Sequence, residues 1–102
     1  MAVTQYTTPT FTLTFTEEEL DLTQANNVYV TFESPGACLT KSGDDLTVEE
    51  TQITVRLSQE ETGRLGSTTQ LQVNWTLPNG VRAASTIETV EIDRNLLRRV
   101  IE

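Results

Sequence analysis

The sequence predicts an all-β fold, an immunoglobulin-like antiparallel β-sandwich of about seven strands. Three observations predict it. Apolar and polar residues alternate in one short run after another. Clusters of Gly, Pro, Asn, Asp and Ser break those runs at intervals of about 8–12 residues. A single helical turn near 59–65 precedes the penultimate strand, where sandwiches of this kind cross between their sheets.

The elements follow in order. "TFTLTF" alternates strictly, with Phe11, Leu13 and Phe15 on one face and Thr10, Thr12 and Thr14 on the other. That period of two marks a half-buried strand of strong β formers. "NVYVTFE" repeats it with Val28, Val30 and Phe32 inward. "SPG" at 34–36 breaks the chain, and "ACLTK" gives a short third strand. "SGDD" at 42–45 is a turn, because Gly permits positive φ and Asp bonds its own backbone. "LTVEE" and "QITVRLS" are the next strands, the second with Ile53, Val55 and Leu57 on one face. "TTQLQVNWTL" aligns Leu71, Val73, Trp75 and Leu77, with Trp75 as a large core anchor. Pro78-Asn79-Gly80 is then a hairpin turn rather than a ligand loop, since it lies between two alternating runs. In "VRAASTIETVEI" the parity slips between Ala83 or Ile87 and Val90 or Ile92, which predicts a bulge.

Two segments read as helical. Ser58 and Glu61 have the spacing of a capping box, and Gly63 limits that helix to about one turn. In "DRNLLRRVI", Leu96, Leu97, Val100 and Ile101 recur at i, i+1, i+4 and i+5, which predicts a short C-terminal helix capped by Asp93. The domain reading is a lead-in at 1–7, a sandwich at 8–93 and an amphipathic segment at 94–102. The inter-sheet cysteine pair and corner tyrosine of antibody domains are missing from the pattern.

Composition narrows the chemistry. The 102 residues contain no histidine, which removes the commonest general base, metal ligand and pH switch. Cys38 is the single cysteine, so no internal disulfide forms, and its strand position predicts a buried, inert thiol. The start "MAVTQYTTPT" lacks the charged and apolar regions of a signal peptide, and there is no apolar run long enough to span a membrane. Folding in a reducing cytoplasm is the expectation. The net charge of −8 argues against nucleic acid, whose phosphates need a basic face. Residues 1–80 hold eleven acids against Lys41, Arg56 and Arg64, whereas four arginines and four acids balance over 81–102. Solubility charge is the plain interpretation. The sharper one docks the arginine-bearing end on an acidic neighbour.

Each candidate site also has a plain structural role. "EEELD" at 17–21 and "GDDLTVEE" at 43–50 are acidic, but lack the glycine-punctuated spacing of a calcium loop, and Glu49 and Glu50 would point to opposite faces of a strand. Two carboxylates alone could serve a glycosidase, yet no aromatic cleft accompanies them. Hydroxyl nucleophiles lack their usual base without histidine. "NWT" at 74–76 matches a glycosylation acceptor but lies mid-strand. The expectation is a protein that is not an enzyme and has no cofactor, metal site or catalytic residue. The candidate protein interface is the C-terminal segment: Leu96, Leu97, Val100 and Ile101, with Arg94, Arg98 and Arg99 on the other side. The alternative is a binding module for carbohydrate or another cell-surface polymer, with Tyr6 and Tyr29 as its available aromatics.

The order of segments also carries a resemblance. "FTLTF", "DLTQANNVYVTFES", "LTKSGDDLTVEETQITVRLSQEETGRL" and "TTQLQVNWTLPNGVRAASTIETVEI" together resemble small proteins encoded in the structural-gene clusters of tailed bacteriophages and prophages. They are also similar to the N-terminal domain of siphophage baseplate upper proteins. The matching positions are Asp21-Leu22-Thr23, Ser58-Gln59-Glu60-Glu61-Thr62 and Pro78-Asn79-Gly80, within residues 8–93. The resemblance implies an immunoglobulin-like building block of a virion, present in the host cytoplasm during assembly and then in the particle. It implies contacts with itself or with other virion proteins, in a homo-oligomer or a mixed assembly, while the charge and the lack of a long apolar run set the expectation of no nucleic-acid or membrane partner. One departure stands out: baseplate proteins continue into long receptor-binding or linking regions, whereas this chain ends soon after the sandwich.

Overall fold

Alternation sorts the side chains into two facing layers. The structure is a computed structural model, and it describes residues 2–15 and 21–101. In chain order it contains β1 (Ala2–Thr4), β2 (Thr10–Thr14), β3 (Asn27–Ser34), β4 (Ala37–Ser42), β5 (Leu46–Val48), β6 (Gln52–Arg56), α1 (Gln59–Arg64), β7 (Thr68–Thr76), β8 (Arg82–Ala84) and β9 (Glu88–Asp93). One sheet runs β1-β9-β7-β3-β4, with β8 also on β7; the other runs β2-β6-β5. The β9-β7-β3 and β2-β6-β5 orders are the G-F-C and B-E-D orders of an immunoglobulin-like sandwich. The fold is all-β, as the periodicity predicts.

The inward residues meet between the layers. Phe11 of β2 packs on Phe32 of β3 with ring centroids 5.3 Å apart, and Phe15 meets Trp75 edge-on at 5.7 Å. Phe11, Val30, Phe32, Ile53, Val55, Leu57, Leu71, Val73 and Trp75 are all buried. Such a core supplies the dominant favourable term in folding.

The turns match their sequence signals. Leu77 N–H donates to Val81 O at 2.9 Å, and Gly80 N–H donates to Leu77 O at 2.9 Å. Gly80 takes φ 86 while Asn79 keeps a negative φ, which makes a three-residue hairpin loop rather than a two-residue one. Asn79 Oδ1 accepts from Val81 N–H at 3.0 Å, so the side chain serves the turn. Pro78-Asn79-Gly80 is a turn.

The predicted bulge lies between β8 and β9. Ala84 pairs with Asn74 and Glu88 with Leu71, so the returning strand carries one residue more than β7 does. Ser85 resolves the mismatch. Its N–H donates to Val73 O at 2.8 Å, and its Oγ accepts from Val73 N–H at 3.0 Å in place of a backbone carbonyl. Ile87, swung out by the bulge, is exposed.

Three expectations are corrected. The 94–102 segment is not a helix: no helical turn occurs after β9 in the described residues, and Asp93 ends that strand instead of capping a helix. The 1–7 lead-in is partly sheet, since Ala2, Val3 and Thr4 pair in parallel with Glu91, Ile92 and Asp93, where Val3 is buried against the core. Glu49 and Glu50 are not strand residues. β5 stops at Val48, and Glu49 N–H turns back to Gln52 O at 2.8 Å.

Candidate interaction surface

The N-terminal link, α1 and the C-terminal segment converge on one end of the sandwich. α1 is built by its capping box: Ser58 N–H donates to Glu61 Oε1 at 2.8 Å, and Glu61 N–H donates to Ser58 Oγ at 3.2 Å. Lys41 of β4 reaches the same carboxylate, with Nζ 2.7 Å from Glu61 Oε2. Partial burial pushes the Glu61 carboxyl up. The hydrogen bond from Lys41, the Ser58 N–H, the Lys41 charge and the Ser58 hydroxyl together outweigh it, and hold the group below its ordinary 4.5.

The link from β1 to β2 clasps this helix. Gln5 Nε2 donates to Leu65 O at 2.8 Å, and buried Thr62 Oγ1 donates to Thr7 O at 2.8 Å. Between them Tyr6 adopts φ 61, the one positive φ outside glycine among the described residues. That conformation costs on the order of 1–3 kcal/mol, and it sets the Tyr6 ring against Gly63. A Cβ at Gly63 would stand 2.7 Å from Tyr6 Cζ and 2.8 Å from Cδ1. Gly63 is therefore a contact requirement as well as a helix limit. Tyr6, one of the two aromatics available to a carbohydrate-binding module, is half-buried here with its ring against Gly63.

The C-terminal segment is extended over the same end, and its hydrogen-bonding groups explain why it is not helical. Asn95 Oδ1 accepts from Leu97 N–H at 3.0 Å, which takes the N–H that a helix capped by Asp93 would bond to the Asp93 carbonyl. The Asn95 carbonyl accepts from Arg98 Nε at 3.3 Å, so a side chain holds the oxygen that a helix would use. Gln59 forms a two-pronged clip: its Nε2 donates to Ile101 O at 3.1 Å, and its Oε1 accepts from Ile101 N–H at 2.8 Å. A segment this short has little helix stability of its own, so these side chains decide its path.

That path leaves the aliphatic residues uncovered. Leu96 is 86% exposed, Leu97 44%, Val100 47% and Ile101 62%. Val100 leans into a groove of about 470 Å³ between Lys41, Arg56, Leu57, Ser58 and Glu61. Arg94, Arg98 and Arg99 are exposed beside them. All seven predicted contact residues thus lie exposed on one terminal segment, although they do not form the two faces of a helix.

Other residues singled out in the sequence lie elsewhere. Cys38 is exposed on the edge strand β4, because the parity of β4 turns it away from the core that Leu39 faces. The expectation of a buried thiol is corrected. Tyr29 is 41% exposed and borders a groove of about 470 Å³ at the opposite end, beside Thr23, Asn26 and Asn27. Glu17, Glu18 and Glu19 lie outside the described residues, and Asp21 accepts from Thr23 N–H at 3.0 Å as a cap. Asn74 Oδ1 accepts from Arg82 Nη2 at 3.1 Å on the sheet surface. Among the described residues no group of three or more His, Cys, Asp or Glu converges for a metal, and no helix is long and apolar enough to cross a membrane.

Sequence reasoning missed the Gln59 clip and the Lys41–Glu61 pair. Both join positions far apart in the chain, and periodicity carries no signal for them. No protein-family model matches the chain, and a search of curated proteins finds no match.

Proposed function

We propose that this chain is a non-enzymatic structural or assembly protein of a phage or prophage particle, working through protein–protein contacts. The observation that carries the reading is the terminal surface. Four large aliphatics stay between 44% and 86% exposed on a segment bearing three arginines, attached to a strongly acidic domain. Fully burying such a side chain stabilises a contact by about 1.5–3 kcal/mol each, and the arginines suit an acidic partner surface. The immunoglobulin-like sandwich and the order of the segments "DLT", "SQEET" and "PNG" support a virion building block. The test compares the solution mass of the full chain with that of a version ending at Asp93. The expected result is an association that truncation weakens while the β-sheet circular dichroism persists. Unfolding on truncation, or identical masses throughout, would refute the role of the segment.

A second reading rests on the Tyr29 groove, where Asn26 and Asn27 place amides beside an exposed ring. That is the chemistry of a carbohydrate-binding module. A glycan-array signal lost in Tyr29→Ala would establish it.

A further inference from the structure

Sheet edges expose unpaired backbone groups, and proteins guard them with charge, proline, bulges or short strands. The β2-β6-β5 sheet ends on one side at β2. In its ladder Phe11 pairs with Val55 and Leu13 with Ile53. Leu57 N–H donates to Pro9 O at 3.0 Å, and Phe15 N–H donates to Thr51 O at 2.8 Å, which fixes the parity. Residues 9, 11, 13 and 15 therefore aim their backbone groups at β6. Thr10, Thr12 and Thr14 aim theirs away from the sheet. Among the described residues no backbone hydrogen bond is made to that outward row.

The strand itself is unguarded: Thr10–Thr14 contains no charge, no proline and no bulge, with Pro9 before it and Glu17, Glu18 and Glu19 after it in the sequence. The other edges differ: β5 has three residues between Asp44-Asp45 and Glu49-Glu50, β4 carries Lys41, and β1 has three residues. Below β2 a groove of about 530 Å³ opens between Leu13 and Phe15 on one wall and Leu71, Val73 and Val90 on the other. Leu13 and Phe15 are only half-buried there.

We propose that β2 is a self-association edge, through which two copies pair antiparallel about a two-fold axis at Thr12 and join their three-stranded sheets into one. This deepens the assembly reading above and rests on it, naming the edge and the partner: a second copy of this chain. Charge decides between occupants. Copies carrying −8 repel one another, and a strand with no charge is where two of them approach at least cost. The row itself offers a charged partner no ion pair, and the one charge lining the groove below it is Glu88. The row is also complementary to itself: in this register Thr12 faces the partner's Thr12, and Thr10 faces the partner's Thr14. Each facing pair can exchange N–H and C=O groups.

Because Thr12 would lie opposite its own counterpart, with Cβ atoms about 5 Å apart, a charge swap tests the symmetry. The full chain, Thr12→Lys, Thr12→Glu and an equimolar mixture of the two variants are compared by sedimentation equilibrium. The side chain is exposed and points away from the core, so both variants should keep the far-UV spectrum of the parent. The full chain should dimerise, and more tightly as salt screens the repulsion. Each variant alone should lose up to about fivefold in affinity, since like charges directly opposite are destabilising, and the mixture should recover dimer. Two results would overturn the proposal. If the full chain associates and both variants associate equally well, β2 is not the edge, and the assembly reading then stands on the C-terminal segment alone. If the full chain stays monomeric at all concentrations and salt levels, self-pairing through β2 is wrong, and self-association through the C-terminal segment is wrong with it.

Discussion

Replacing glycine by alanine inside a helix ordinarily raises stability by about 1 kcal/mol. At Gly63 the sign should reverse. The added methyl would stand 2.7 and 2.8 Å from two Tyr6 ring carbons, well inside van der Waals contact. The backbone on either side is held by the bonds of Gln5 to Leu65 O and of Thr62 to Thr7 O, so relief requires the ring to turn about its own side-chain bonds and give up its contact with α1. Overpacking of this kind costs about 1–3 kcal/mol, so Gly63→Ala should destabilise by up to about 2 kcal/mol net of the propensity gain. Tyr6→Gly removes the ring and also relieves the positive φ of 61. In that background Gly63→Ala should revert to stabilising by about 1 kcal/mol, which gives a coupling energy of about 1–3 kcal/mol in a double-mutant cycle. Urea unfolding of the four proteins measures it, with unchanged m values as the control. A Gly63→Ala protein more stable than the parent would refute the packing of Tyr6 on α1.

Four further outcomes follow from the same contacts. Ser85→Ala removes the acceptor 3.0 Å from Val73 N–H and should cost about 1–3 kcal/mol in urea, far more than an exposed serine normally does. Glu61 is more acidic folded than unfolded, so the stability it contributes is complete above 4.5 and is lost as pH falls through the depressed folded value. Lys41→Met should flatten that acid-side loss in urea midpoints measured against pH, and an unchanged slope would contradict the pairing. Gln59→Ala breaks both bonds to Ile101, and the Ile101 amide should then exchange with deuterium at the rate of an open chain. Cys38 should react with a thiol reagent in the native protein as fast as in the unfolded one, because it is exposed.

The legible part of the fold was what a period of two and turn chemistry encode. Phe11, Val30, Ile53, Val55 and Val73 fall inward because alternation leaves them nowhere else, and the slip before Val90 marks the bulge at Ser85. The capping box was legible because Ser58 and Glu61 are three residues apart and satisfy each other. The C-terminal segment shows where such reasoning stops. Its apolar spacing fits a helix, yet Asn95, Arg98 and Gln59 take the backbone groups that a helix would need, and Gln59 is remote in sequence. β1 was missed for a related reason. A three-residue strand has too little alternation to register, and its partner β9 lies at the other end of the chain. The exposure of Cys38 followed from parity alone, with Leu39 as its inward neighbour, but the composition-based expectation for a lone cysteine overrode it.

The central claim is that this sandwich works by contact with other protein chains, through its C-terminal surface and the β2 edge. Hydrogen–deuterium exchange of the full chain at low and high concentration tests it most directly. The expected result is protection that grows with concentration at the outward amides of Thr10, Thr12 and Thr14 and across residues 96–101, with the β7 core protected equally at both. Exchange at those sites that does not change with concentration would contradict it.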